Sequence, residues 1–163
     1  MTSSSLALAA DLGRALASRR WKAATAESCT GGLVAGAITD VAGSSEWFDR
    51  GFVAYSNDAK IELLGIRKET LAQFGAVSEA TVREMAAGAL DRSHADIAVA
   101  ITGIAGPAGG TPDKPVGLVW LAWATRDGSV EAVSRRFPGD RAAVREATVA
   151  LALEGLVERA LPR

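Results

Sequence analysis

The segment TAESCTGG, Thr25 to Gly32, sets Ser28, Cys29 and Thr30 between a short β-prone run and an apolar stretch with helical spacing. A helix needs only one hydroxyl as its N-cap, so this junction carries more polar groups than capping requires. A serine at such a turn can point its hydroxyl at a ligand, while Gly31 and Gly32 let that ligand approach the backbone. N–H groups of the first helical turn, near Thr30 to Gly32, could receive a developing oxyanion or hold an anion. The alternative reading is that Ser28 or Thr30 does no more than cap the helix. Cys29 is a rival nucleophile, but a lone cysteine commonly serves as a small buried hydrophobe, and Ser28 is preferred.

A nucleophilic serine needs a base. The single histidine, His94 in DRSHAD, lies between an amphipathic helix and a strand and reads as a surface-loop residue, so the base is not expected to be histidine. Cys29 and His94 alone cannot assemble a metal cluster, and nothing in the chain calls for a cofactor. Lys60 is the candidate base. It falls in the first turn of a helix begun near Asn57, where the positive end of the dipole opposes an ammonium and favours the neutral amine. A solvated surface lysine is the plainer alternative. Tyr55, the only tyrosine, precedes it at a strand end and could relay a proton, orient a substrate or belong to the core. The stretch from Thr102 and Gly103 to Gly117 includes Gly106, Gly109 and Gly110 and offers flexible backbone amides suited to a phosphate. It matches neither a P-loop nor a dinucleotide fingerprint, and a plain mobile connection would read the same way. Arg141, in PGDRAAVR, opens a helix where a cation gains nothing from the dipole, which makes it a candidate phosphate ligand.

These residues need a frame that gathers them. Leu6, Ala9, Gly13, Leu16 and Ala17 mark one face of a first helix, and a short strand follows around Lys22 to Ala26. Leu33, Val34, Ala37, Ile38 and Val41 recur at helical spacing. RGFVAYS reads as a second strand and NDAKIELLGI as a short helix closed near Gly65. VSEATVREMAAGAL is a helix with Ser78 as its N-cap. ADIAVAIT is continuously apolar, the pattern of a strand buried on both faces. LVWLAWA and SVEAVSRRF flank Asp127-Gly128, a hairpin signal, and a long helix runs from Asp140 to Ala160. Five strands interleaved with helices predict a three-layer α/β/α sandwich with a mixed, mostly parallel sheet. Ligands of such sheets gather beyond the carboxyl ends of the parallel strands, where AESCTGG, AYSNDAK and ITGIAGPAGG converge.

Composition narrows the classes. The 163 residues form one expected domain, 48% hydrophobic and 23% charged, with a net charge of −1 that gives no argument for nucleic acid. No apolar run is long enough for a membrane span, and the N-terminus lacks a signal-peptide pattern. One cysteine excludes an internal disulfide, in keeping with the reducing cytoplasm where the protein is expected.

The segments TAESCTGGLVAGAITDVAGSSEWFDRGFVAYSNDAK, VSEATVREMAAGAL, ITGIAGPAGGTPDKPVGLV and FPGDRAAVREATV, in this order, cover most of the chain. Together they resemble the C-terminal domain family of the competence/damage-inducible protein CinA, which includes stand-alone nicotinamide-nucleotide amidases. The chain departs from the common pattern of the glycine-rich loop at Ala108, where another glycine or an acid is frequent. The resemblance implies a mixed five-stranded α/β/α domain of the stand-alone form. It also implies deamidation of nicotinamide mononucleotide to nicotinate mononucleotide and ammonia in a homo-oligomer, without a cofactor. Carried across, Ser28 would attack the carboxamide, Lys60 would take its proton and Tyr55 could assist. Thr30, Gly31 and Gly32 would face the oxyanion; Asn57, Thr102, Gly103, Gly106, Gly109, Gly110 and Arg141 would hold the nucleotide. The competing expectation is a nucleotide-binding partner module in DNA-damage or competence pathways that has no hydrolytic activity.

Overall fold

A computed structural model of the chain describes residues 3–162. Helix α1 (Ser3–Arg19) leads into β1 (Ala23–Glu27), then α2 (Leu33–Thr39), β2 (Phe48–Val53), α3 (Asn57–Leu64), α4 (Lys68–Phe74) and α5 (Glu79–Asp91). Strands β3 (Ile97–Gly103), β4 (Leu118–Thr125) and β5 (Val130–Arg136) follow, and α6 (Arg141–Ala160) closes the chain. The sheet order is β2-β1-β3-β4-β5. β1 pairs in parallel with β2 and β3, while β4 is antiparallel to both of its neighbours, so only β4 runs against the other four. The mixed, mostly parallel five-stranded sheet matches the expectation from sequence.

Alternation within β3 builds the layers. Ile97, Val99 and Ile101 face a core of large side chains from α1, α2 and α6, including Leu12, Leu16, Ile38, Leu153 and Leu156. Ala98 and Ala100 face the opposite core, with Ala24, Ala26, Ala122 and Ala124 on neighbouring strands and Val82, Met85 and Leu64 above them. The continuous apolar run in the sequence is therefore two alternating patterns, one per face. Glycines let the layers close: a Cβ on Gly88 would sit 2.0 Å from the Leu64 carbonyl oxygen, and one on Gly155 would sit 2.2 Å from the Trp123 ring.

Several boundaries differ from the sequence reading. β2 begins earlier, at Phe48, and ends at Val53, so Ala54 and Tyr55 have already left the strand. Ser56, whose hydroxyl accepts from the Ala59 amide (3.0 Å), caps α3, and Asn57 is its first helical residue. The short α4 escaped the sequence reading because only Thr70 of its seven residues is buried, leaving little periodicity to detect. No helix among the described residues is long and apolar enough to cross a membrane.

Candidate active site

β1 and β2 end level, at Glu27 and Val53, and Glu27 also registers with Ile101, two residues before β3 ends at Gly103. The chain leaves the sheet at all three ends on one edge, so segments far apart in sequence meet there. The first turn after β1 is organised by Glu27, a residue the sequence reading passed over. Its fully buried carboxylate accepts from the Thr30 hydroxyl (2.6 Å) and from the Val34 (2.9 Å) and Ala35 (3.1 Å) amides. A carboxylate at a strand end just before a helix start, where the dipole favours negative charge, was the available signal. With Glu27 satisfying those amides, α2 takes no side-chain cap: its N-cap is Gly32, in the left-handed region at φ 101°. Neither Ser28 nor Thr30 is therefore the cap, and the Ser28 hydroxyl is left for another partner.

That partner is Lys60. Its side chain runs inward from α3, is only 1% exposed, and is among the largest fully buried side chains. Nζ lies 3.1 Å from Ser28 Oγ and donates to the carbonyls of Ala54 (3.1 Å) and Tyr55 (3.0 Å). None of the ion pairs among the described residues involves it. Desolvation without a carboxylate holds its pKa below the ordinary 10.5. A neutral amine has two protons and one lone pair: the two carbonyls take the protons, and the lone pair is left for the serine hydroxyl. Cys29 lies beside this pair, and burial pushes its thiol up to about 11, so it stays protonated and weakly nucleophilic near neutral pH.

Ser28 and Lys60 open into a cavity of about 290 Å³. Of the residues named from sequence, Ser28, Tyr55, Asn57, Lys60, Thr102, Gly103, Gly106, Gly109 and Arg141 line it. Thr30, Gly31, Gly32 and Gly110 do not line it. Thr30 is turned down onto Glu27, the Gly31 amide closes on the Ser28 carbonyl (3.0 Å), and Gly32 lies beside Val53. Gly110 packs against Val116, where a Cβ would come 2.8 Å from the amide nitrogen. Tyr55 is 59% exposed, so it is not a core residue, and its hydroxyl lies 3.3 Å from Arg141 Nη2. Arg141 also donates to the Gly106 carbonyl (2.9 Å), which ties the start of α6 to the glycine-rich loop. The Thr102 hydroxyl donates to the Ala76 carbonyl (2.9 Å), so its proton secures the loop before α5. Arg145, one turn beyond Arg141, was missed from sequence; it donates to the Cys29 and Thr30 carbonyls (3.1 and 3.4 Å). His94 is exposed and outside this cavity.

A larger polar cavity, about 370 Å³, opens at the other edge of the sheet around Arg19, Trp21, Trp123 and Arg159. It brings no hydroxyl against a buried amine.

Fold and site together define a three-layer α/β domain with a serine–lysine centre at the carboxyl edge of its sheet. The chain belongs to the CinA C-terminal domain family, which matches residues 5–160. It is 57% identical to the nicotinamide-nucleotide amidohydrolase PncC of Escherichia coli strain K12, across 99% of this chain and 98% of that protein. It is 54% identical to a CinA-like protein of Akkermansia muciniphila, where the match spans 88% of this chain and 34% of that longer protein. Among solved structures, competence/damage inducible protein CihA from Agrobacterium tumefaciens superposes with a TM-score of 0.95 at 50% identity, covering 97% and 96% of the two chains.

Proposed function

We propose that this protein hydrolyses the carboxamide of nicotinamide mononucleotide, giving nicotinate mononucleotide and ammonia, with Ser28 as nucleophile and Lys60 as base. The observation that carries the reading is the buried, carboxylate-free Lys60 amine 3.1 Å from the Ser28 hydroxyl. The choice of substrate is supported by similarity to proteins named nicotinamide-nucleotide amidohydrolase over nearly the whole chain. Ser28 Oγ attacks the carboxamide carbon while Lys60 Nζ takes its proton. Lys60 then returns that proton to the amide nitrogen, and ammonia leaves. The nicotinoyl ester on Ser28 is opened by water, with Lys60 again accepting a proton, which regenerates the hydroxyl. Tyr55 and Arg141 stand at the mouth of the cavity with Asn57 and the loop of Gly103, Gly106 and Gly109, where the ribose phosphate would be held. Charge-assisted contacts to that phosphate are worth about 1.5–3 kcal/mol each.

The test is ammonia release from nicotinamide mononucleotide, nicotinamide riboside and nicotinamide by wild type and Ser28→Ala. The mononucleotide should be by far the best substrate, and Ser28→Ala should abolish turnover. Binding of the mononucleotide with no release of ammonia would instead identify a nucleotide-binding module.

A further inference from the structure

Helix α6 sends two arginines, one turn apart, to different parts of the site. Arg141 reaches the glycine-rich loop and the Tyr55 hydroxyl. Arg145 does not line the cavity that holds Ser28 and Lys60; it lines a neighbouring one that shares Ala105 and Arg141 with it. Its Nε donates to the Cys29 carbonyl and its Nη2 to the Thr30 carbonyl, across 116 and 115 residues of sequence. It enters none of the ion pairs among the described residues, so no carboxylate competes for the guanidinium. The neighbouring Val144 and Thr148 are fully buried, and the Thr148 hydroxyl donates to the Val144 carbonyl (2.7 Å), which anchors this turn of α6.

We propose that Arg145 is a positioning residue that holds the peptide planes after Ser28 and so keeps its hydroxyl aimed at Lys60. This rests on the serine–lysine reading above. Each peptide is planar, so fixing a carbonyl fixes the N–H of the next residue in the opposite direction. Holding the Thr30 carbonyl sets the Gly31 amide, which closes on the Ser28 carbonyl at 3.0 Å. Holding the Cys29 carbonyl sets the plane between Cys29 and Thr30. Gly31, at φ 57°, and Gly32, at φ 101°, leave this turn permissive, so side chains have to hold it. Glu27 grips it from beneath through Thr30, Val34 and Ala35, and Arg145 grips the carbonyls. The Gly31 α-carbon faces the guanidinium closely, since a Cβ there would be 3.3 Å from Arg145 Nη2.

The experiment measures steady-state ammonia release from nicotinamide mononucleotide for wild type, Arg145→Ala and Arg145→Lys. In parallel, a fluorophosphonate probe labels Ser28 and intact mass gives the rate. A displaced reacting group costs on the order of 10²-fold, so Arg145→Ala should lose about 10- to 100-fold in kcat with KM kept within about threefold. The labelling rate should fall in parallel. Arg145→Lys keeps the charge but loses the two-point contact, so both rates should be intermediate. A raised KM with unchanged kcat would make Arg145 a substrate ligand and overturn the proposal; so would unchanged rates in either variant. If Arg145→Ala does not fold, Arg145→Lys decides alone: reduced kcat and labelling support the role, and wild-type rates refute it. If wild type released no ammonia but labelled at Ser28, slower labelling of the variants would support Arg145 while the substrate assignment failed. No labelling and no turnover by wild type would overturn both.

Discussion

Lys60→Met separates catalytic demand from structural cost. Methionine nearly matches the lysine stem in volume but carries neither donor nor base. In the structure, Lys60 Nζ is the side-chain group that meets Ser28 Oγ, at 3.1 Å, so its loss leaves the hydroxyl without an acceptor for its proton. A general base contributes roughly 10²–10⁴-fold, and loss of a serine's activating partner has cost up to about 10⁶-fold in a hydrolase. Single-turnover ammonia release should therefore fall by at least about 10²-fold, with mononucleotide affinity changed much less. The same substitution has a stability signature. Burial lowers the Lys60 pKa in the folded state, whereas the unfolded lysine keeps the ordinary 10.5. Between the lowered value and 10.5 the unfolded chain binds more protons, so stability rises with pH there. Below that window the folded protein carries the full cost of a buried ammonium; above it both states are neutral. The methionine variant has no such group. Its stability relative to wild type should thus be greatest below the lowered value and decline as pH rises through it towards 10.5. Thermal melts of both proteins across that range read the difference. A pH-independent difference would show that Lys60 is not desolvated in the folded protein, and near wild-type turnover would remove it as the base.

The other predictions draw on different parts of the molecule. Cys29→Ala should keep substantial activity and Ser28→Ala should not; wild-type Cys29, with its thiol at about 11, should react slowly with iodoacetamide at neutral pH. Arg141→Ala should raise KM for the mononucleotide by about 10- to 100-fold, one charge-assisted contact's worth, and leave nicotinamide riboside little affected. Steady-state kinetics on both substrates checks this, and equal effects on the two would show that Arg141 does not read the phosphate. Gly155→Ala should destabilise the fold by about 1–3 kcal/mol, because its methyl would enter the Trp123 ring; a denaturant melt unchanged from wild type would refute this packing.

The sequence by itself determined the repertoire and its order. Alternating β and α patterns set the layered class, and IAVAI in β3 encodes a bulky face and an alanine face within one apolar run. The three loops with unusual residues were legible because each follows a strand, and parallel strands deliver their ends to one edge. The single histidine and cysteine directed attention to serine and lysine before any contact was known. Tertiary structure decided what local pattern cannot carry. Lys60 in NDAKIELLG has the local grammar of a surface lysine; its burial follows from α3 packing against α5 with the Lys60 amine turned onto the carbonyls just after β2 and onto Ser28, 32 positions away in sequence. Tyr55 read from sequence as a proton relay, a substrate-orienting group or a core residue; its side chain is largely exposed, and its carbonyl meets the amine. Glu27 and Arg145 each look ordinary in their own segment. They acquire roles because one lies beneath a left-handed glycine turn and the other arrives at it from the last helix. Such contacts join residues that periodicity never compares, so folding alone brings them together.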